Sequence, residues 1–506
     1  IGNNVTSIGT YAFRGCTGLT YVTIPNSVTS IGSSAFSDCT GLTYVTIPNS
    51  VTSIGKGAFE GCTGLKKIEL DCSTIGSWFS GWSSIEEVII GNNVTSIGTY
   101  AFRGCTGLTY VTIPNSVTSI GSSAFEDCNI KKSIWLTNTP PTGYKNVGAT
   151  INYVANDQYS GLSNVKVYPY LSSLFEVGGV KYVPVSPAER TCDAIDCVYD
   201  STAVDINIEK TVLFKGIAMN VKQVMPYTFY ANKNIKTIKV DNDGIVGNYA
   251  FCGCRNLTGV TISNNGDIGK RVFSDCTSLA TVTISNNGDI GERVFSDCTS
   301  LASAIISNKG LIGDGVFSDC YNLVTATLGD SITSIGASAF YGCSKLSEMV
   351  IPDAVTAIGS EAFKNCTSLQ TVKVGNGTKS INSAAFYGCR ALNSIVLGDN
   401  VATIGSNAFY ACSSLPEIVI PQSVTKINDY AFDNCTTLAD VIVEDRATAL
   451  SLGSNGSYPL FSDCPLDSVY IGGKITYSTS SSYGYSPFYR NTSLRSVVIT
   501  DTEEEV

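Results

Sequence analysis

Apolar positions return along this chain in a fixed order that is neither the 3.6-residue period of a helix nor an unbroken alternation. The order is clearest from Leu42 to Cys62, where Leu42, Val45, Ile47, Pro48, Val51, Ile54, Gly55, Ala58, Phe59 and Cys62 spell L-x-x-V-x-I-P-x-x-V-x-x-I-G-x-x-A-F-x-x-C. The Cys recurs at 16, 39 and 62, a spacing of 23 residues, and a constant period of this size is the mark of stacked repeats. Within a repeat, Tyr21-Val-Thr-Ile24 predicts a short strand with Val22 and Ile24 inward and Tyr21 and Thr23 outward. Pro25-Asn-Ser turns the chain, and Val28 and Ile31 mark a second short extended piece. Gly32 then permits a bend, and Ala35-Phe36 opens a tight turn or 3₁₀ segment that leads to Cys39. One such coil cannot bury its own apolar side chains, so neighbours stacked at the strand spacing of ~4.8 Å supply the core. The predicted fold is a right-handed β-solenoid with little helix.

Taken in order, the first array sets Cys16, Cys39, Cys62, Cys105 and Cys128 in register, with Trp82 at the Cys position of a shortened, degenerate copy. That makes six coils. Residues 1–36 and 90–125 are identical, at outward as well as inward positions, which indicates recent duplication and argues against a unique catalytic side chain in either copy. The repeat breaks down after Trp135. Pro140-Pro141 and Gly143 punctuate the chain there, and Ile151–Val154 to Val165–Pro169 reads as irregular strands of a C-terminal cap. Leu174–Tyr182 and Ala203–Phe214 read as hairpin strands covering the start of a new array, so the expected units are 1–173 and 174–506. The second array opens at Tyr227-Thr-Phe229, with Ala231 taken as standing for Cys. It runs through Cys254, Cys276, Cys298, Cys320, Cys343, Cys366, Cys389, Cys412, Cys435 and Cys464 to Asn491, for twelve coils. From Cys254 to Cys320 the spacing is 22, with Ile262-Ser-Asn-Asn-Gly-Asp267-Ile268 in place of the Pro turn. Leu450–Tyr458 and the Ser-rich Tyr477–Tyr485 are expected to bulge from one edge, and Asp501–Val506 to fray.

Composition narrows the chemistry. The chain of 506 residues contains no His, which removes Ser-His-Asp and Cys-His nucleophiles, His-containing zinc sites and the usual neutral-pH general base. A net charge of -10 argues against a phosphate-binding surface, so nucleic acid is not an expected partner. No apolar run is long enough to span a bilayer. Residue 1 falls inside a repeat with no signal peptide or start Met ahead of it, as expected of an excised or mature portion.

The run Val-Thr-Ser-Ile-Gly-x-x-Ala-Phe-x-x-Cys-x-x-Leu-x-x-Val-x-Ile-Pro resembles the BspA-like leucine-rich repeat family, found in surface proteins of host-associated bacteria and some protists. The resemblance covers about three quarters of the chain, and Phe175–Tyr182 is similar to the segment that often opens a new array in such proteins. It implies two right-handed leucine-rich-repeat solenoids in a secreted or cell-surface protein. It also implies adhesion, or binding of a host or microbial protein or glycan, without enzyme activity or cofactor.

Fifteen of the 19 Cys share the repeat position. A ladder of parallel side chains does not offer the dihedral a disulfide needs, so buried free thiols acting as small hydrophobes are expected. Cys192 and Cys197 lie outside the ladder in what reads as a polar hairpin, open to a local disulfide, to two free thiols or, less plausibly, to metal. Cys72 and Cys252 show no evident partner. Asn265-Gly-Asp267 and Asn287-Gly-Asp289 read as tight turns in preference to a calcium ladder. Glu348, Glu417 and Asp440 share one outward column. Only Glu417 and Asp440, on neighbouring coils, satisfy the ~5–10 Å separation of a glycosidase pair, which leaves a carboxylate-based glycan hydrolase as one alternative and a passive spacer as another. The central outward column is mostly polar in the first array, with Thr23, Thr46, Glu69, Ile89 and Thr112. In the second it begins with Lys239, Thr261 and Thr283 and then becomes Val350, Val396, Val419, Ile442, Tyr470 and Val498, interrupted by Lys373. Val350, Val396, Val419, Ile442 and Tyr470, flanked by Glu417 and Asp440, are therefore the candidate contact surface. Exposed β-branched strand residues with no partner are the competing reading.

Overall fold

In the computed structural model, residues 1–197, 204–453, 460–477, 487–488 and 491–500 are described. Among them there is no α-helix, only short strands, turns and two 3₁₀ segments, Tyr144–Val147 and Leu171–Ser173. The chain forms two compact units, residues 1–174 with 183–185 and residues 175–182 with 186–506.

In the first unit the strands Tyr21–Val22, Tyr44–Ile47, Lys67–Leu70 and Glu87–Ile90 form a parallel sheet, with Val45 opposite Ile68 and Ile68 opposite Val88. Tyr110–Ile113 and Lys132–Trp135 form a second sheet. It continues in parallel register through Ile151–Val154 and Val165–Val167, so these segments, expected as irregular, extend the same ladder after the Cys motif has ended. Each coil adds a two-residue strand such as Ser30–Ile31, stacked on Ser7–Ile8 and Ser53–Ile54.

Between the short strand and the next long one the chain makes the Ala-Phe turn, and three columns run through it. Phe rings stack coil on coil: in the second unit Phe340, Phe363, Phe386 and Phe409 lie 5.1 to 5.4 Å apart and nearly parallel. Three backbone N–H groups donate to the next coil, as Ser34, Phe36 and Asp38 do to the carbonyls of Lys56, Ala58 and Glu60. The repeat Cys donates its S–H to the Phe carbonyl of the preceding coil, at 3.2 Å for Cys366 to Phe340 and for Cys389 to Phe363. Apart from exposed Cys16 and half-buried Cys128, the repeat thiols are buried and form no disulfide, as expected, but the thiol is a directed weak donor as well as a small apolar side chain. The turn also places the residue before Ala-Phe and the residue before Cys in the left-handed region, for example Ser34 (φ 51°) and Asp38 (φ 61°). Gly, Asn and Asp recur before Cys because they tolerate that conformation best.

The same geometry corrects the first Cys position of the second array. The Cys follows Phe by three residues in every coil, which makes Asn232, three after Phe229, its equivalent. Ala231 (φ 55°) matches Gly253 (φ 73°) before Cys254. Asn232 is buried, and its Oδ1 accepts from the N–H of Asn234 and Ile235, closing the turn with an amide where later coils use a thiol.

A five-stranded sheet precedes this array, in the order Phe175–Val177, Val180–Ser186, Thr191–Cys197, Ile217–Val224, Thr211–Phe214. Phe175–Val177 and Val180–Ser186 form the expected hairpin. The Ala203–Phe214 stretch divides: residue 203 lies outside the described residues, Asp205–Ile208 is the first parallel strand of the coil ladder, and Thr211–Phe214 pairs antiparallel with Ile217–Val224. Cys192 and Cys197 lie on the strand Thr191–Cys197, buried and unbridged, in place of the expected polar hairpin. Five residues of extended strand separate their Cα atoms by roughly 16 Å, far beyond disulfide reach. Cys72 and Cys252 are likewise buried and form no disulfide.

The 22-residue coils bury an amide where the others bury an aliphatic. Asn264 and Asn286 sit in the interior, and Asn286 Nδ2 donates to the carbonyls of Gly266 and Gly288, one coil apart. Beside them Asn287 Nδ2 donates to Asn265 Oδ1 and the Asp289 N–H to Asp267 Oδ1, so these side chains tie neighbouring turns together. Of the expected edge bulges, Leu450–Leu452 is instead a strand of the short-strand ladder, paired with Lys426–Ile427 on one side and Ile475–Tyr477 on the other, and Tyr477 ends that last strand. Residues 454–458, 478–485 and 501–506 lie outside the described residues.

Candidate functional site

Strand alternation fixes which side chains leave the core. In Glu348–Ile351 and Glu417–Ile420, positions two and four are buried and one and three exposed. Register then sets the third positions side by side: Val350 against Lys373, Lys373 against Val396, Val419 against Ile442, Ile442 against Tyr470, and Tyr470 against Val498. Val350 is 60% exposed, Val396 57% and Val419 38%, while Ile442 and Tyr470 are half-buried. The Tyr470 hydroxyl donates to Asp445 Oδ1 at 2.7 Å. The column begins earlier than the sequence reading placed it. Ile305, 46% exposed, stands between Thr283 and Thr327, and the signal for it was the apolar third residue of Ser303-Ala-Ile-Ile306.

Glu417 and Asp440 are direct register partners in the flanking column, Glu417 exposed and Asp440 half-buried. Glu348 lies apart on Glu348–Ile351, against Thr371. Among the described residues no group of three or more His, Cys, Asp or Glu is placed to hold a metal ion, and no helix is long and apolar enough to cross a membrane.

The first unit presents a different surface. The Tyr44 hydroxyl donates to Glu69, and Thr46 Oγ1 donates to Tyr44 at 2.7 Å. Lys67 pairs with Glu87 at 3.5 Å and lies over the Tyr44 ring. Burial, and then the Glu69 carboxylate, push the Tyr44 hydroxyl above its ordinary range. This face holds its polar groups to one another, whereas the stripe of the second unit leaves aliphatics without cover.

The stacked coils, their parallel short strands and the outward strand face define a leucine-rich-repeat solenoid. A family model described as BspA type Leucine rich repeat region (6 copies) matches residues 1–79, 73–143, 222–347 and 333–455, and the chain belongs to that family. Among solved structures it is similar to a leucine-rich repeat protein from Bacteroides ovatus ATCC 8483, with 22% identity over 95% of this chain and 92% of that one and a TM-score of 0.44. It is also similar to a leucine rich cell surface protein from Faecalibacterium prausnitzii A2-165, with 22% identity, 65% and 95% coverage and a TM-score of 0.35. A leucine-rich repeat protein from Eubacterium ventriosum ATCC 27560 gives 24% identity, 68% and 82% coverage and a TM-score of 0.36. No match was found among curated proteins.

Proposed function

We propose that this chain is a non-enzymatic binding or adhesion protein, displayed at a cell surface or secreted, that recognises a host or microbial protein or glycan through the strand face of its second unit. The observation that carries the reading is the outward third position of successive strands, Val350 and Val396 with Lys373 between them in one sheet and Val419, Ile442 and Tyr470 in register in the next, with Glu417 and Asp440 on the flank. Solvent-facing positions have no packing reason to become apolar, and contiguous apolar surface on a folded protein commonly marks an interaction site. Membership of a leucine-rich repeat family supports a protein-binding role, because stacked coils present long, rigid surfaces.

The test is a screen of host proteins and glycans with the wild-type chain and with Val396→Thr, Val419→Thr and Ile442→Thr combined. Thr keeps the β-branch and removes the apolar contact, so the melting temperature is expected to hold while binding or self-association is lost. Unchanged binding at unchanged stability reduces the stripe to strand-forming surface. Turnover of a glycan that Glu417→Gln abolishes would make the chain a hydrolase instead, and no binding at all would favour a spacer.

A further inference from the structure

A shortened coil in the first unit opens a cleft. Cys62 and Trp82 are 20 residues apart where the array spacing is 23, and Ile75-Gly-Ser-Trp-Phe79 is one residue shorter than Ile54-Gly-Lys-Gly-Ala-Phe59. On the long-strand side the ladder does not notice: Lys67–Leu70 pairs with Glu87–Ile90 in full register. On the turn side it parts. Ser53–Ile54 closes one short-strand sheet and Thr74–Ile75 starts another, and Phe59 stacks on Phe36 whereas its ring contact with the next coil is an edge contact with Trp82. The result is a wedge of about 540 Å³ lined by Lys56, Phe59, Glu60, Trp78, Trp82 and the hydroxyls of Thr63, Ser77, Ser80, Ser83 and Ser84.

The walls of this wedge carry complementary rows of unused backbone groups. Gly57, Phe59 and Gly61 are the counterparts of Ser34, Phe36 and Asp38, whose N–H groups donate to the next coil. Among the described residues these three N–H groups find no such acceptor, and the carbonyls of Trp78 and Ser80, counterparts of Ala58 and Glu60, receive no donor from the coil before. Unpaired backbone groups of this kind are costly away from water and call for a partner. Between the rows stand two of the three Trp in the chain, both half-buried and set edge-on to Phe79 with ring centroids 6.3 and 5.5 Å away. The Trp78 indole is seated on Gly76, where a Cβ would come within 2.6 Å of its Nε1.

We propose that this cleft binds a neutral saccharide. A sugar ring has an apolar C–H face that lies against an indole, and hydroxyls around its rim that both donate and accept. One ring can therefore meet the N–H row of one wall, the C=O row of the other and the Trp face between them. The volume is within the roughly 300–1,000 Å³ of small-ligand sites. An extended peptide would also pair with the two rows, but the wedge closes inward where Phe59 meets Trp82, and its rim is dense in hydroxyls, both of which favour a compact polyol over a strand. The inference is independent of the strand-face reading, since the two surfaces lie in different units.

The experiment titrates the full chain with galactose, mannose, N-acetylglucosamine, N-acetylgalactosamine, lactose and mannobiose, followed by calorimetry and by Trp emission, to which Trp78 and Trp82 contribute beside the buried Trp135. At least one probe is expected to give saturable binding that Trp78→Ala and Trp82→Ala each weaken by roughly fivefold or more. A second variant, Trp78→Ala with Trp82→Cys and one glycine inserted after Ser77, restores the Ile-Gly-x-Gly-Ala-Phe turn of the preceding coil and so regularises the turn side of this one. It is expected to abolish binding with the melting temperature kept or raised, so that loss of binding is not loss of fold. The strand-face variant Val396→Thr/Val419→Thr/Ile442→Thr is expected to bind the saccharide as wild type does. No response to any probe, binding that survives the regularised coil, or binding of a pool of extended hexapeptides in place of every sugar would overturn the proposal.

Discussion

A buried thiol and an exposed one carry the same sequence letter, and here the difference between them is chemical reactivity. Burial pushes Cys62 and Cys192 up to about 12 and raises Cys276 and Cys366 well above the ordinary thiol range, so the thiolate that reacts is scarce as well as inaccessible. Cys16 is exposed and Cys128 half-buried. In mildly alkaline buffer a thiol reagent is expected to label Cys16 first and Cys128 more slowly, and to reach all 19 Cys only after denaturation. Peptide mapping that finds Cys276 or Cys366 labelled in the native chain would contradict the closed ladder. Asp433 makes the opposite electrostatic case. Burial, with the Asp463 carboxylate adding to it, raises its carboxyl from 3.8 to about 6, so the folded chain holds a proton that the unfolded chain has released. Its contribution to stability is full below about pH 4 and is lost as pH rises through about 6. Asp433→Asn is therefore expected to flatten the fall in melting temperature between those limits, and an unchanged profile would refute the assignment. The repeat Cys was legible in the sequence because its spacing is constant. Its carbonyl partner was not, because that pairing joins residues 25 or more apart and needs the coil register. Asn232 was missed for a related reason: counting back from Cys254 loses the Phe-to-Cys interval that the turn conformation fixes.

At the scale of one coil, the strand and turn expected from Val22, Ile24, Val28 and Ile31 are present because β-branched alternation specifies them locally. The 22-residue coils show what alternation leaves out. The missing Pro and the Asn-Gly pair announced a different turn, but not that Asn286 would be interior with its amide bridging Gly266 and Gly288. An inward polar residue looks like an outward one until the neighbouring carbonyls are in place. Asn286→Ala removes one donor from each of those carbonyls, Gly266 O keeping Asn264 Nδ2 and Gly288 O keeping Asn308 Nδ2, and with the loss of the buried amide is expected to cost about 1–1.5 kcal/mol, measured by urea denaturation. Asn287→Ala, which loses an exposed tie to Asn265, should lie within about 0.5 kcal/mol of wild type. Equal effects from the two would mean that the amide column carries no special share of the coil's stability. The stripe beginning at Ile305 belongs to the same scale. Its apolar character was readable position by position, and only the pairing of Thr283, Ile305 and Thr327 shows that it is interrupted before Val350.

A solenoid is held by contacts between adjacent coils, so damage should stay within the array that suffers it. The two compact units allow a direct test, because Trp78, Trp82 and Trp135 are all the Trp in the chain and all fall in residues 1–174. Trp emission therefore reports unfolding of the first unit alone, while circular dichroism reports both. Phe102 and Phe386 are fully buried members of the two Phe columns, and truncating either to Ala removes a stacked ring at an expected cost of about 3–5 kcal/mol. Phe386→Ala should shift the dichroism transition of the second unit to lower denaturant and leave the Trp emission midpoint where it is, whereas Phe102→Ala should move the Trp midpoint. The identical residues 1–36 and 90–125 explain why sequence alone does not predict the outcome, since equal local patterns say nothing of where cooperativity stops. Should Phe386→Ala lower the Trp midpoint as far as it lowers the dichroism midpoint, the chain unfolds as one cooperative body and the division near residue 174 has no energetic meaning.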